Sequence, residues 1–583
     1  MIEKFNKLNF LITLIFVFIL GVITERLDAD KKILSYFNSY TDKIYQFIFS
    51  SSNKNQKFFI FIEPRHFRKI LNIRDASLKK TMLTKDLEDW VPARISFKDN
   101  SEDIKIKLWF DNFVRNSPEG KKKDKFIEII KDWIPNDKIS SKNDPNIQIR
   151  LKGVWPEHWS DEKQWSFKIK QINEKDQPLN FTRLAIQPPW TLDYIYEWLL
   201  YKALEKENLL SLPVSFSEII INNKSKGIHT IQAQVSQRLL TQNNMDISPI
   251  IGFTKDTWIK EQINSKSLNK LGATDSMNGL EDTFWRSKIE PVQFDKSKGD
   301  KKQEAYLKKA IFLLESFRSG NMKTSEVFDT EKLAKVMALR ALLGSSEFDY
   351  LDTKFYYNPT TLLLEPITKE AHVNLNLNWR DTYFSWWIDS SKIRPHYTNN
   401  TNFFIDLLYK DKKFYAEYLK MLNYYSSINF YNSLINENKK EFEKNYKILK
   451  LNYPSKKIFS FDHLEITRKR IEDVLSPVES LNVYFEDYTN GMLKLTIQNI
   501  QRLPVEILGI NLDNGEKIVA TKKTIIEGKR PLKPSENYTV HFNCKNFNCN
   551  QDIIEQKKII YRILGQQRTG STTISPFYFI NKK

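Results

Sequence analysis

SSEFDYLDTKFYYNPTTLLLEPITKEA, Ser345 to Ala371, decides how this chain is read. It follows a helix that Gly344 stops. It opens on an acidic cluster, Glu347, Asp349 and Asp352, and continues as an apolar-aromatic strand, Lys354 to Tyr357. A turn at Asn358-Pro359 leads to a second strand, Leu362 to Glu365, which leaves at Pro366 towards another acid, Glu370. The spacing predicts one hairpin with carboxylates held at its two ends. Metal-dependent phosphoryl transfer uses such a set, with an acid to orient the acceptor and oxygen ligands for Mg²⁺ on rigid supports. Spacing alone leaves a second reading open, an acidic loop on a solvated hairpin.

Upstream, Thr330 is placed to cap EKLAKVMALRALLG, and Glu304 to Arg318 has the stripe of an amphipathic helix. Residues 236–300 are polar and loop-rich, an insertion or a partner-facing region. SFSEIIINN (Ser215 to Asn223) and GIHTIQAQV (Gly227 to Val235) predict a hairpin turning at Asn223 to Lys226. Thr191 is placed to cap a helix with Asp193 in its first turn; Glu197 lies on that helix. IQIRLKG, from Ile147, is a strand ending in a glycine turn. WSFKIK alternates: Trp165, Phe167 and Ile169 face one way, Ser166, Lys168 and Lys170 the other. Its lysines either enter a cleft or lie solvated on a surface strand. KFFIFIEP, ARISFKD and DIKIKLWF predict earlier strands, and Phe126 to Trp133 a helix.

Downstream, the chain is aromatic and helical to Leu451, with a linker near Pro454 and a short helix from Asp462 to Leu475. From Val478, NVYFEDY, MLKLTIQNI, PVEILGI and YTVHF are short alternating strands between Gly, Asn and Pro turns, the texture of a β-sandwich.

The net charge of +19 comes mainly from lysines spread along the 583 residues. No zinc-finger, homeodomain or RNA-recognition pattern accompanies it, so a nucleic-acid partner is not expected. The only cysteines, Cys544 and Cys549, are too few for a zinc site. They form either a small-loop disulfide or a pair of free thiols. Lys4 and Lys7 precede an apolar run, Phe10 to Thr24, with no A-x-A cleavage pattern after it. The expectation is an uncleaved signal anchor, with the N-terminus cytoplasmic and the bulk of the chain extracytoplasmic. His158, His229 and His372 have no metal-ligand spacing, and no Ser-His-Asp or Cys-His set is legible. Trp155, Trp159, Trp386 and Trp387 either stack on sugar rings or belong to the core.

RLKG (Arg150 to Gly153), WSFKIK, YIYEWLLYKAL, IIINNKSKGIHTI, FDTEKLAKVMALRALLG and the YYNP…EPI hairpin follow one another in an order that resembles the CotH-kinase family, spore coat protein H-like atypical kinases. The resemblance runs from about Gln148 to Lys450. It implies an α+β fold with an atypical kinase-like two-lobed core, binding ATP with Mg²⁺ or Mn²⁺ between a strand-rich and a helical lobe. Lys168 then looks like the phosphate-contacting lysine, Lys170 its fallback, and Glu197 its ion-pair partner. Glu347 falls where the family has its catalytic aspartate, Asp352 where it has a metal-binding asparagine, and Glu370 where it has a second metal-binding aspartate. Gln232-Ala233 stands where the family tends to carry Glu-Glu. The implied activity is phosphotransfer to a surface protein or glycan; the acid exchanges also fit a non-catalytic scaffold for a surface or coat structure.

The expected organisation is a signal anchor at 1–25, a juxtamembrane and N-terminal α+β region at 26–146, the CotH-like core at 147–455, and a linker with the C-terminal sandwich at 456–583.

Overall fold

Apolar residues at every second position close seven strands into a barrel in the computed structural model, which describes residues 57–96, 145–172, 183–270, 283–292, 300–345, 350–373, 403–476, 479–513, 515–529 and 534–575. The strands are β1 (Lys57–Phe61), β2 (Val91–Ser96), β3 (Ile147–Leu151), β4 (Phe167–Gln171), β5 (Arg183–Gln187), β6 (Val214–Ile221) and β7 (Lys224–Ala233). Their order is β1-β2-β3-β4-β5-β7-β6, and β6 pairs in parallel with β1 to close the ring. Ile149, Ile169, Leu184 and Phe167 point inwards, and α1 (Pro64–Lys80) packs Phe67, Ile70 and Leu71 against them. The barrel therefore crosses the boundary expected at residue 146, because β1 and β2 are its staves. DIKIKLWF and the helix expected at Phe126 to Trp133 lie outside the described residues.

Gly153 ends the β3 segment with φ +92°, and a Cβ there would sit 2.0 Å from His158 Cδ2. Gly153→Ala is expected to cost about 3 kcal/mol, as left-handed strain and a forced clash combine. A lowered thermal midpoint is the check; an unchanged melt would show that His158 swings aside.

Glu197 lies on α2 (Ile195–Lys206), which starts later than expected. Pro188 and Pro189 lead into a short 3₁₀ turn, so the Thr191 hydroxyl donates to Pro188 O instead of capping the helix. The β6–β7 turn is also tighter than expected: Asn222 and Asn223 both take positive φ, and Gly227 lies within β7.

Residues 236–300 are not merely loop. They supply β8 (Ile250–Phe253) and β9 (Ile289–Pro291). These join the hairpin of β10 (Lys354–Tyr357) and β11 (Leu364–Ile367) in a sheet ordered β11-β10-β8-β9. Behind it lie α3 (Lys301–Arg318) and α4 (Thr330–Leu343). Asp329, not Thr330, caps α4, accepting from Lys332 N at 3.1 Å, and Gly344 ends it with φ 72°. The last expected strand is displaced: Pro366 lies inside β11, opposite Phe355.

The helices α5 (Lys412–Tyr425) and α6 (Phe461–Leu475) both pack on α4, so the segment expected to begin a C-terminal unit at 456 belongs partly to the helical core. Two antiparallel sheets follow, one of Leu481–Thr489, Met492–Asn499 and Tyr538–Asn543, the other built around Val505–Asn511 and Lys558–Ile563. Their apolar faces share one core with the helices. Gly565, with φ 79°, lets that second sheet approach α5, where a Cβ would meet Ala416 O at 2.1 Å. Beside it Gln566 Nε2 donates to Leu419 O at 2.8 Å. Cys544 and Cys549 are joined as a disulfide.

The expected anchor, Phe10 to Thr24, lies outside the described residues; among those described, no helix is long and apolar enough to cross a membrane.

Candidate functional site

Strand register builds the first wall of the site. Arg150 lies directly opposite Lys168, and Lys170 directly opposite Arg183. The two-residue period puts all four on the outer face of the barrel, since their neighbours Ile149, Ile169 and Leu184 fill its interior. Like charges directly opposite one another are destabilising. Part of that cost is relieved locally: Arg150 pairs with Glu88 at 2.5 Å, and the Lys170 ammonium sits 4.6 Å from the centre of the Trp90 ring. The Lys168 ammonium, unlike its strand-paired backbone, has no ion-pair or hydrogen-bond partner among the described residues. Burial first, then the Arg150 and Lys152 charges, push its ammonium down to about 7 from the ordinary 10.5.

The β8–β11 sheet forms the opposite wall. Between the walls lies a cavity of about 390 Å³. Lys168, Arg150 and Arg183 line it from the barrel, and Lys255, Lys354, Lys369 and Asp352 from the other side. Among the described residues the lining is strongly cationic, with Asp352 its one carboxylate.

Antiparallel pairing sets the positions of the acids. Lys354 at the start of β10 pairs with Ile367 at the end of β11. Asp352 and Glu370 therefore emerge at the same open end of the ribbon, not at opposite ends. Lys369 spans them, with its Nζ 2.8 Å from Glu370 Oε1 and 3.4 Å from Asp352 Oδ1. Lys152 reaches Glu370 at 3.3 Å from the barrel, and Lys255 reaches Asp352 at 2.7 Å. Burial opposes ionisation of both acids. The nearby ammoniums outweigh it, holding Asp352 below and Glu370 well below the usual carboxylate range.

The loop carrying Glu370 is gripped from two sides. The buried Glu197 carboxylate accepts from Glu370 N at 2.8 Å, from Ala371 N, and from Gln232 Nε2 at 2.6 Å. The Arg340 guanidinium donates to Thr368 Oγ1 at 2.9 Å, Lys369 O at 3.1 Å and Glu370 O at 2.9 Å. Glu370 and His372 take left-handed φ values of 61° and 43°, a conformation that costs non-glycine residues free energy and is kept only where the surroundings enforce it.

The structure thus brings Lys168 and Asp352 to one cavity and Glu370 next to it. Lys170 lies outside the lining, over Trp90. Glu197 is a positioning group for the 370 loop and makes no ion pair with Lys168. Gln232, noted for its departure from Glu-Glu, is the side chain that orients Glu197. Glu347, Asp349, Trp386 and Trp387 lie outside the described residues. Trp159 is fully buried, core rather than a sugar platform.

Sequence reasoning missed Lys152, Lys369 and Arg340. The first two were visible only as letters of RLKG and ITKEA, and Arg340 as a polar break in an apolar helix.

The two expected metal acids do not fit a divalent cation in this arrangement. Mg²⁺ needs several oxygens at about 2.0–2.1 Å. Here each carboxylate already faces ammoniums, and no group of three His, Cys, Asp or Glu suited to a metal occurs among the described residues. The cationic cavity suits an anion instead. No protein-family model matches the chain, and no curated protein matches it.

Proposed function

We propose that this chain is a membrane-anchored, extracytoplasmic CotH-like protein that takes the phosphates of ATP in the basic cavity. The observation that carries the reading is the convergence of Lys168 with Asp352 on one cavity whose other charged groups, among the described residues, are cationic. A row of cations on a rigid strand face neutralises phosphate charge and positions it, which is most of what a phosphotransferase asks of its protein. Phosphotransfer to a surface protein or glycan follows from the resemblance. The disulfide between Cys544 and Cys549 agrees with an oxidising, extracytoplasmic compartment.

A second reading, a scaffold that binds nucleotide without transferring phosphate, is favoured by one observation: Lys369 lies between the two acids that metal-assisted transfer would use. Incubating the purified full chain with γ-labelled ATP and envelope fractions separates the two. Label on a protein or glycan acceptor, lost in Lys168→Met, supports phosphotransfer. ATP-induced thermal stabilisation without labelling supports the scaffold. Absence of both rejects the nucleotide reading.

A further inference from the structure

We infer that Lys369 is a resident monovalent cation in the place where a divalent ion would bridge Asp352 and Glu370, so that the cavity takes nucleotide phosphates without metal. The inference rests on the nucleotide reading above and deepens it. Five side chains form an alternating charge chain: Lys152, Glu370, Lys369, Asp352 and Lys255, with neighbouring contacts of 3.3, 2.8, 3.4 and 2.7 Å. Each acid therefore has an ammonium on either side. A dication entering between them would have to displace those ammoniums and would then lie beside them, a like-charge arrangement that burial makes worse.

Lys369 is also not loosely placed. Arg340 holds its carbonyl at 3.1 Å, and the next residue is fixed through Glu197. Its side chain lines the cavity together with Lys168 and Arg183. One ammonium thus neutralises the acids on one side and faces an incoming anion on the other. Bringing positive charge to the phosphates is the task that a bound metal performs in other phosphate sites. Lys369 and Lys255 perform it here, and the two carboxylates hold them in position.

The test is ATP affinity, measured by calorimetry on the full chain in detergent, with excess EDTA and with excess Mg²⁺. The wild type is expected to bind in EDTA within about twofold of its affinity in Mg²⁺. Lys369→Met is expected to lose about tenfold in EDTA and to regain part of it with Mg²⁺ or Mn²⁺, since each acid then keeps one flanking ammonium, Lys152 or Lys255, and turns its other side to the metal; Lys369→Arg should keep binding in EDTA. Should Lys369→Met fail to fold, the wild-type comparison still decides. Wild-type binding that requires Mg²⁺ and disappears in EDTA overturns the inference and leaves the nucleotide reading standing. A wild type that binds ATP under neither condition overturns the nucleotide reading itself.

Discussion

Arg340→Met is expected to destabilise the protein by roughly 3–5 kcal/mol and to abolish ATP binding. Arg340 is only 1% exposed. Its guanidinium serves Thr368 Oγ1 and the carbonyls of Lys369 and Glu370. Methionine fills most of the volume but leaves three acceptors without their donor, and each buried polar group left unsatisfied costs about 1–3 kcal/mol. The loss is not confined to stability. Glu370 and His372 hold left-handed backbone conformations only while the loop is gripped. Without Arg340 the loop relaxes, Lys369 leaves the cavity wall, and Glu370 beside it loses its position. Arg340→Lys should fall between, since an ammonium reaches some of the acceptors but has no planar fork. Thermal melts and ATP titrations of the two variants are the measurements. An Arg340→Met protein that melts like wild type would show that Glu197 alone holds the loop.

The same loop shows how far the sequence could be read. Local patterns were informative where one periodicity dominated. WSFKIK put Lys168 on the polar side of its strand, and Gly344 ended its helix as expected. Both acids were named, but their arrangement was misjudged, because chain order suggests two ends where antiparallel pairing gives one. Contacts between long flexible side chains far apart in sequence leave no local trace; Lys152 meets Glu370 across 218 residues. β8 was hidden because four residues, three of them apolar, are too few in a polar region to show a period. Arg340 was hidden for the opposite reason, since a lone arginine in a helix ordinarily marks the solvated face. Glu197 was assigned the right neighbourhood and the wrong partner. Its carboxylate meets backbone N–H groups, which a sequence cannot display as a motif.

Lys168→Met is expected to weaken ATP binding roughly ten- to hundredfold, the worth of one charge-assisted contact, and to remove a distinctive pH dependence. The Lys168 ammonium has its pKa lowered to about 7. Below that pH it is charged and draws phosphate; above it the free protein must take up a proton to bind. Affinity should therefore fall as pH rises, by up to about tenfold between about pH 7 and about pH 8, a window above the phosphate's own titration near 6. The stability of the free protein should move the other way. A lysine whose pKa is lowered on folding binds fewer protons in the native than in the unfolded chain between about 7 and 10.5. Its contribution to stability therefore rises with pH through that window. An anion that pairs with the ammonium removes the penalty, so ATP should flatten the stability profile as well as raise it. Lys168→Met should abolish the lysine's part of both slopes, giving weaker binding but a free protein more stable than wild type near neutral pH. Calorimetric titrations and melts across the window test the pair of trends together. An affinity that is flat in the wild type, or a slope that survives in Lys168→Met, would mean that this lysine does not meet the phosphates.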